Sequence, residues 1–241
     1  MIRTYDNDPF SYDGRFVLYE PTDQGYASIG PSMQITGRTD GMNEKGLSIG
    51  YNFINRKQSD NGFTCNMIGR ILLENCANVE EAVDLLKEIP HRHSFSYVLT
   101  DPTSNSLVVE ASPREVVTRV DNMCTNHFDI LTEENRYRMD DSLRRQTVMQ
   151  EEQTHVTDSI EAYQMMNDSD IGIFSTNYGA WSGTIHTALF YPQQLKMGLS
   201  LGSDRLPFMF DFGKWVAGED VNVKTLNGQL DTSIPFGNMK R

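Results

Sequence analysis

An α+β sandwich with mainly antiparallel sheets is the fold this sequence predicts, and three observations predict it. Short apolar stretches bounded by turn formers recur as neighbouring pairs, which reads as hairpins. Amphipathic segments come in two blocks, at 64–90 and 140–168, instead of alternating singly with strands. The order is therefore strands, two helices, strands, helices, strands, which suits helices packed in separate blocks against antiparallel sheets. No internal repeat or linker interrupts the 241 residues, so one large domain over 1–241 is expected.

The elements follow in chain order. "MIRTYDND" opens as a short strand. "GRFVLYE" and "GYASIG" are strands separated by the turn former "PTDQ". "MQITG" and "LSIGYNF" are the arms of a hairpin turned by "DGMNEKG", and "NRKQSDNG" is a polar loop. In "TCNMIGRILLENC", Met67, Ile68, Ile71, Leu72 and Cys76 share one side at helical spacing. "NVEEAVDLLKEIP" starts at Asn78 as N-cap, carries Glu80 and Glu81 where the helix dipole favours acids, and stops at Pro90. "FSYVLTD", "LVVEAS" and "EVVTRVD" are strands, "DDSLRRQTVMQEE" and "DSIEAYQMMND" are helices, and "TIHTALFYP" with "LKMGLSLG" makes a last hairpin around "QQ".

Charge and composition exclude several functions. A net charge of -12 opposes general nucleic-acid binding, which needs a basic face, and equally opposes an anionic membrane surface. No apolar run approaches a membrane span, and no basic segment followed by an apolar core opens the chain. The three cysteines, Cys65, Cys76 and Cys124, are too few and odd in number for a disulfide framework, which points to a reducing, cytoplasmic location.

Metal chemistry has little support. "HRH" and "CTNH" each lack a second pair of ligands, and no helical H-E-x-x-H occurs. Neither "GMNEKG" nor "GTIHTA" has the spacing of a phosphate loop, and there is no G-x-S-x-G elbow. Cys124, with His127 and Asp129 close behind it, is the most interesting thiol, but residues three apart on a strand face opposite ways. Asn52 and Asn126 sit at strand ends, where an amide NH2 is a good oxyanion donor, although turns and caps are the commoner use of asparagine. Together with Arg3 and Asp6 they look like a site lacking its centre.

"RTYDND", "DGMNEKGLSIGYNF", "NCANVEEAVDLLKEIP", "YVLTDPTSNSLVVEAS", "CTNHF" and "SLRR" occur in the order found in choloylglycine hydrolases and acyl-CoA:6-aminopenicillanate acyltransferases. The chain resembles these N-terminal-nucleophile (Ntn) hydrolases to at least "TIHTALFYPQQLKMGLSLG", and more closely the acyltransferase-like branch than the bile-salt hydrolases. The resemblance implies a four-layer αββα sandwich. It implies cleavage or transfer at a linear amide through an acyl-thioester on an N-terminal cysteine. A free α-amine, with a pKa of about 7.7–8.0, serves there as base toward its own side chain.

By the same resemblance, Arg3 stabilises the thiolate, Asp6 orients the α-amine, Asn126 fixes the amine and substrate, and Asn52 donates to the oxyanion. Arg145 of "SLRR" supports the transition state, with Arg144 one position away as the competing match. Tyr51 and Phe53 are expected either to line an acyl cleft or to pack within the sheet. The departure lies ahead of "RTYD": Ile2 and Met1 stand where the cysteine belongs. Three explanations are weighed. The preferred one is an N-terminally truncated sequence, inactive as it stands. The second is a binding module for small ligands on the same fold, without catalysis. The third, with Cys124 as substitute nucleophile, lacks the free amine. Family members accept bile salts, acyl-homoserine lactones, penicillins and N-acyl peptides, so the expected partner is a small-molecule N-acyl substrate. No cofactor or metal is expected, nor nucleic acid or membrane, and a homo-oligomer is compatible with the family.

Overall fold

The computed structural model describes residues 1–54, 57–179 and 182–238. In chain order it contains strands β1 (Ile2–Asn7), β2 (Phe16–Tyr19), β3 (Ser28–Met33), β4 (Gly37–Arg38), β5 (Asp40–Asn43) and β6 (Ser48–Phe53). Helices α1 (Cys65–Asn75) and α2 (Val79–Glu88) follow, then β7 (Phe95–Thr100), β8 (Ser106–Ala111) and β9 (Val116–Arg119). Helices α3 (Asp140–Glu152) and α4 (Ser159–Asn167) precede β10 (Gly183–Tyr191), β11 (Lys196–Leu201), β12 (Phe208–Asp211) and α5 (Phe212–Val216). Every strand pairing within the two sheets is antiparallel, as the hairpin pattern predicts. No helix among the described residues is long and apolar enough to cross a membrane.

Contacts divide the chain into two compact units, each built on one sheet. The larger unit, essentially residues 15–146, carries the strand order β2-β3-β5-β6-β7-β8-β9, with β4 paired to β3. Strand alternation divides its side chains cleanly. Ile49 and Tyr51 of β6, Tyr97 and Leu99 of β7, and Val109 and Ala111 of β8 form one buried cluster with Ile68 and Leu72 of α1 and Val79, Ala82, Val83 and Leu86 of α2. Burying each of the larger aliphatic side chains is worth about 1.5–3 kcal/mol, which is why both amphipathic helices lie on this face. Asn78 caps α2 as predicted: its side chain accepts from the Glu81 N–H at 3.0 Å, while Glu81 reaches back to the Ala77 N–H at 2.7 Å.

The predicted hairpin over 33–53 needs one correction. "MQITG" is not its first arm. Gln34 and Ile35 have φ of 55° and 69°, so β3 ends at Met33 and the chain turns back into β4. The arm facing β6 is Asp40–Asn43, with Asp40 opposite Gly50 and Met42 opposite Ser48. Apolar-polar alternation suggested a strand over 33–37, but Ile35 is left exposed at the turn. The true turn, at 44–46, is closed by Asn43. Its Oδ1 accepts from the Lys45 and Leu47 N–H groups, and its Nδ2 donates to the carbonyls of Leu73 and Cys76 at the end of α1. The polar loop predicted over 55–62 falls partly outside the described residues.

The smaller unit comprises 1–14, 147–191 and the chain from 195 onward, and its sheet runs β1-β10-β11-β12. β10 is buried along nearly its whole length and is the central support. α4 packs on it: the Tyr163 hydroxyl donates to the Thr187 carbonyl at 3.3 Å, and Asn167 Nδ2 donates to Thr187 Oγ1 at 2.8 Å and to the Gly202 carbonyl at 2.9 Å. The register of β1 against β10 shifts between Tyr5 and Asp6, leaving Ile185 as an extra residue on β10. Ile185 packs with Tyr5, Tyr12 and Tyr178. β12 and α5 carry no clear periodicity and were not anticipated. They exist because Phe208–Asp211 pairs with β11, after which Asp211 caps a single short helix by accepting from the Lys214 N–H at 3.1 Å.

Candidate active site

Asn52 is the penultimate residue of β6, on the sheet face opposite α1 and α2. Cross-strand register places it in one row with Ser96 of β7 and Glu110 of β8. Over this row runs the loop from Val120 to Leu131. Asn52 Nδ2 donates to the Cys124 carbonyl at 3.2 Å. Two residues further on, Asn126 Nδ2 donates to the Phe53 carbonyl at 3.1 Å, and its Oδ1 accepts from Arg145 Nη2 at 3.1 Å. Asn52, Asn126 and Arg145, distant in sequence, are thus linked through β6, one loop and α3. Both arginines of "SLRR" pair with Asp141, Arg145 at 3.0 Å and the half-exposed Arg144 at 2.7 Å, but it is Arg145 that reaches Asn126.

The loop carrying Asn126 is fixed from both ends by groups the sequence reading overlooked. The Glu110 carboxylate, completely buried, accepts the N–H groups of Asp129, Ile130 and Leu131 at 2.8, 3.0 and 2.9 Å. Arg119 Nε pairs with it at 3.1 Å, and the same guanidinium also holds Asp121 and Asp129. At the other end, Ser142 of α3 donates to Thr125 Oγ1 at 3.0 Å and lies 2.9 Å from His127 Nδ1. The available signal was the lone acid in "LVVEAS": a carboxylate in an apolar strand has to be satisfied by buried donors.

The Cys124 thiol has its pKa raised, chiefly by burial. It is therefore a protonated thiol at neutral pH, not a poised thiolate. Cys76 is likewise pushed up to about 12, chiefly by burial. His91 is buried with its Nε2 2.7 Å from the Leu86 carbonyl, so its ring serves the end of α2. Among the described residues no three His, Cys, Asp or Glu side chains gather as metal ligands.

The structure places Tyr51 and Phe53 on the face away from Asn52. Neighbours of Asn52 on an extended strand point to the other face. Tyr51 is buried in the helix-facing core with its hydroxyl donating to the Arg38 carbonyl at 2.9 Å, and Phe53 packs against that core beside Phe95 and under Arg136. The sheet-packing alternative describes both side chains.

Arg3 and Asp6 belong to the smaller unit, on β1. The Arg3 guanidinium lies 5.6 Å from the centre of the Tyr5 ring, a cation-π contact. Asp6 Oδ1 accepts from Thr184 Oγ1 at 2.6 Å, directly at the register shift, and Thr184 Oγ1 in turn accepts from the Ser175 N–H at 2.9 Å. A short, charge-assisted bond of this kind fixes the orientation of the carboxylate.

Comparison with solved structures gives the same fold. A variant of conjugated bile acid hydrolase from Clostridium perfringens superposes with a TM-score of 0.63 at 15% identity, covering 92% of this chain and 89% of that one. Penicillin V acylase from Agrobacterium tumefaciens gives 0.58 at 16% identity, over 87% and 81%. The N-acylethanolamine-hydrolyzing acid amidase ortholog of Caenorhabditis elegans gives 0.55 at 12% identity, over 80% and 87%. No curated protein matches the chain by sequence. The family model described as acyl-coenzyme A:6-aminopenicillanic acid acyl-transferase, however, matches residues 1–206, the stretch holding both sheets' main strands, Arg3, Asp6, Asn52, Asn126 and Arg145. With that match extending over most of its length, the chain belongs to the acyl-coenzyme A:6-aminopenicillanic acid acyl-transferase family.

Proposed function

We propose that this chain supplies the body of an enzyme that hydrolyses or transfers the acyl group of a small N-acyl amide, through the thiol of a cysteine whose own α-amine removes its proton. The family resemblance would put that cysteine ahead of Arg3 in the chain, released by processing. The observation carrying the proposal is the linked Asn52, Asn126 and Arg145 set, with each amide oriented by a named partner. In such an enzyme Asn52 uses the second N–H of its amide on the tetrahedral oxyanion, Asn126 holds the substrate, and Arg145 keeps Asn126 turned with its NH2 toward β6. In this reading Arg3 lowers the cost of the thiolate and Asp6 orients the amine. Protonation of the leaving amine by the α-ammonium completes acylation, and water or a second amine then releases the acyl group.

The experiment reads the coding frame upstream of Met1, expresses the extended chain and confirms by mass spectrometry that it is processed to a cysteine. Turnover of N-acyl amides such as penicillin V by the processed form, and none by the 241-residue form, is the expected result. A folded, cysteine-initiated protein that turns over no acyl amide or thioester overturns the proposal and leaves ligand binding without catalysis as the reading.

A further inference from the structure

The match to the family ends at residue 206, and the chain beyond it lines a cavity within the smaller unit together with Ile185 and Leu201. Residues 226–236, which form no helix or strand, cross β10 and β11 as a strap. Two close approaches seat it. A Cβ on Gly202 would lie 2.1 Å from the Gln229 carbonyl oxygen, and one on Gly228 would lie 2.2 Å from Leu201 Cβ. Neither contact tolerates a side chain, so the backbone lies directly on the sheet at these points. Between them and the strand ends is a cavity of about 560 Å³ lined by apolar side chains, Leu230 and Phe236 among them, and by the uncharged polar residues Asn227, Gln229, Thr232 and Ser233.

No charged side chain lines it, so a charged ligand group would lose its hydration there without a partner. The volume falls within the usual range for small-molecule sites, about 300–1,000 Å³. Its position also matters. Ile185 is the extra residue at the register shift, next to the Thr184 that holds Asp6. The same strap, at Leu230–Ile234, lines a second cavity shared with Tyr178, whose hydroxyl donates to the Thr184 carbonyl at 2.6 Å and whose phenol pKa is raised by burial and by the nearby Asp6 charge.

We infer that the strap and the ends of β10 and β11 form a binding pocket for an uncharged, apolar acyl chain, and that this segment sets acyl-group preference. The preference rests on the reaction proposed above; the binding does not. The test uses the 241-residue chain and octanamide as probe, with octanoate and octylammonium as charged counterparts, in calorimetric titration. Octanamide binds saturably and the charged analogues at least about tenfold more weakly. Leu230→Trp fills the cavity and removes binding, and Ser233→Trp, from the exposed rim, does the same should Leu230→Trp fail to fold. Absence of saturable octanamide binding, or binding unchanged in both variants, overturns the inference. In a cysteine-initiated form, unchanged chain-length preference in Leu230→Trp overturns the preference while the reaction stands. Octanamide binding blocked by Leu230→Trp beside an inactive cysteine-initiated form upholds the pocket and overturns the reaction.

Discussion

Glu110→Ala is the perturbation whose consequence follows most directly from the structure. The substitution removes a carboxylate that is completely buried and serves three backbone N–H groups and Arg119 at once. Each orphaned buried donor costs about 1–3 kcal/mol. Breaking a buried ion pair from one side costs about 3–5 kcal/mol. These do not add, because Arg119 keeps Asp121 and Asp129 and the loop relaxes toward water. The expected loss is about 3–5 kcal/mol, a large share of the roughly 5–15 kcal/mol that holds a typical domain together. Urea unfolding followed by circular dichroism measures it. Glu110→Gln retains one acceptor oxygen and loses the charge, so it falls between, and hydrogen exchange should show the Asp129, Ile130 and Leu131 amides losing protection first. A loss below about 1 kcal/mol in Glu110→Ala would refute the claim that this carboxylate anchors the Asn126 loop.

Other outcomes test separate parts of the reading. In a cysteine-initiated form, Asn52→Ala lowers turnover by roughly 100- to 1,000-fold, and a wild-type rate would remove Asn52 from the site. Asn78→Ala costs about 0.5–2 kcal/mol in urea unfolding, because the Glu81 N–H loses its acceptor at the start of α2. His91 has a folded pKa below its ordinary value of 6.5, chiefly from burial, so the unfolded chain takes up the proton first as the medium is acidified. Its stabilising share is therefore complete above about pH 6.5 and is lost as pH falls toward the folded value; His91→Gln should flatten that part of the stability profile, read by urea midpoints across the range.

Local chemistry made much of this protein legible in its sequence. Asn78, Glu81 and Pro90 delimit α2 because capping and helix breaking act within a few residues. The β10–β11 hairpin, the β7–β8 hairpin and the antiparallel character of both sheets follow from strand runs separated by short turns. Where the local signal was ambiguous, tertiary structure decided. "MQITG" alternates like a strand, yet its middle residues adopt left-handed backbone so that β3 can fold back on β4. Tyr51 and Phe53 flank Asn52 in sequence and face away from it in space, because alternation matters only once the face packed against α1 and α2 is known. The contact of Arg145 with Asn126, nineteen residues away, is one that no spacing rule contains. The residue types suited to the chemistry are written in the sequence. Which atoms they meet is set by register and by buried hydrogen bonds between distant segments, and those exist only in the folded chain.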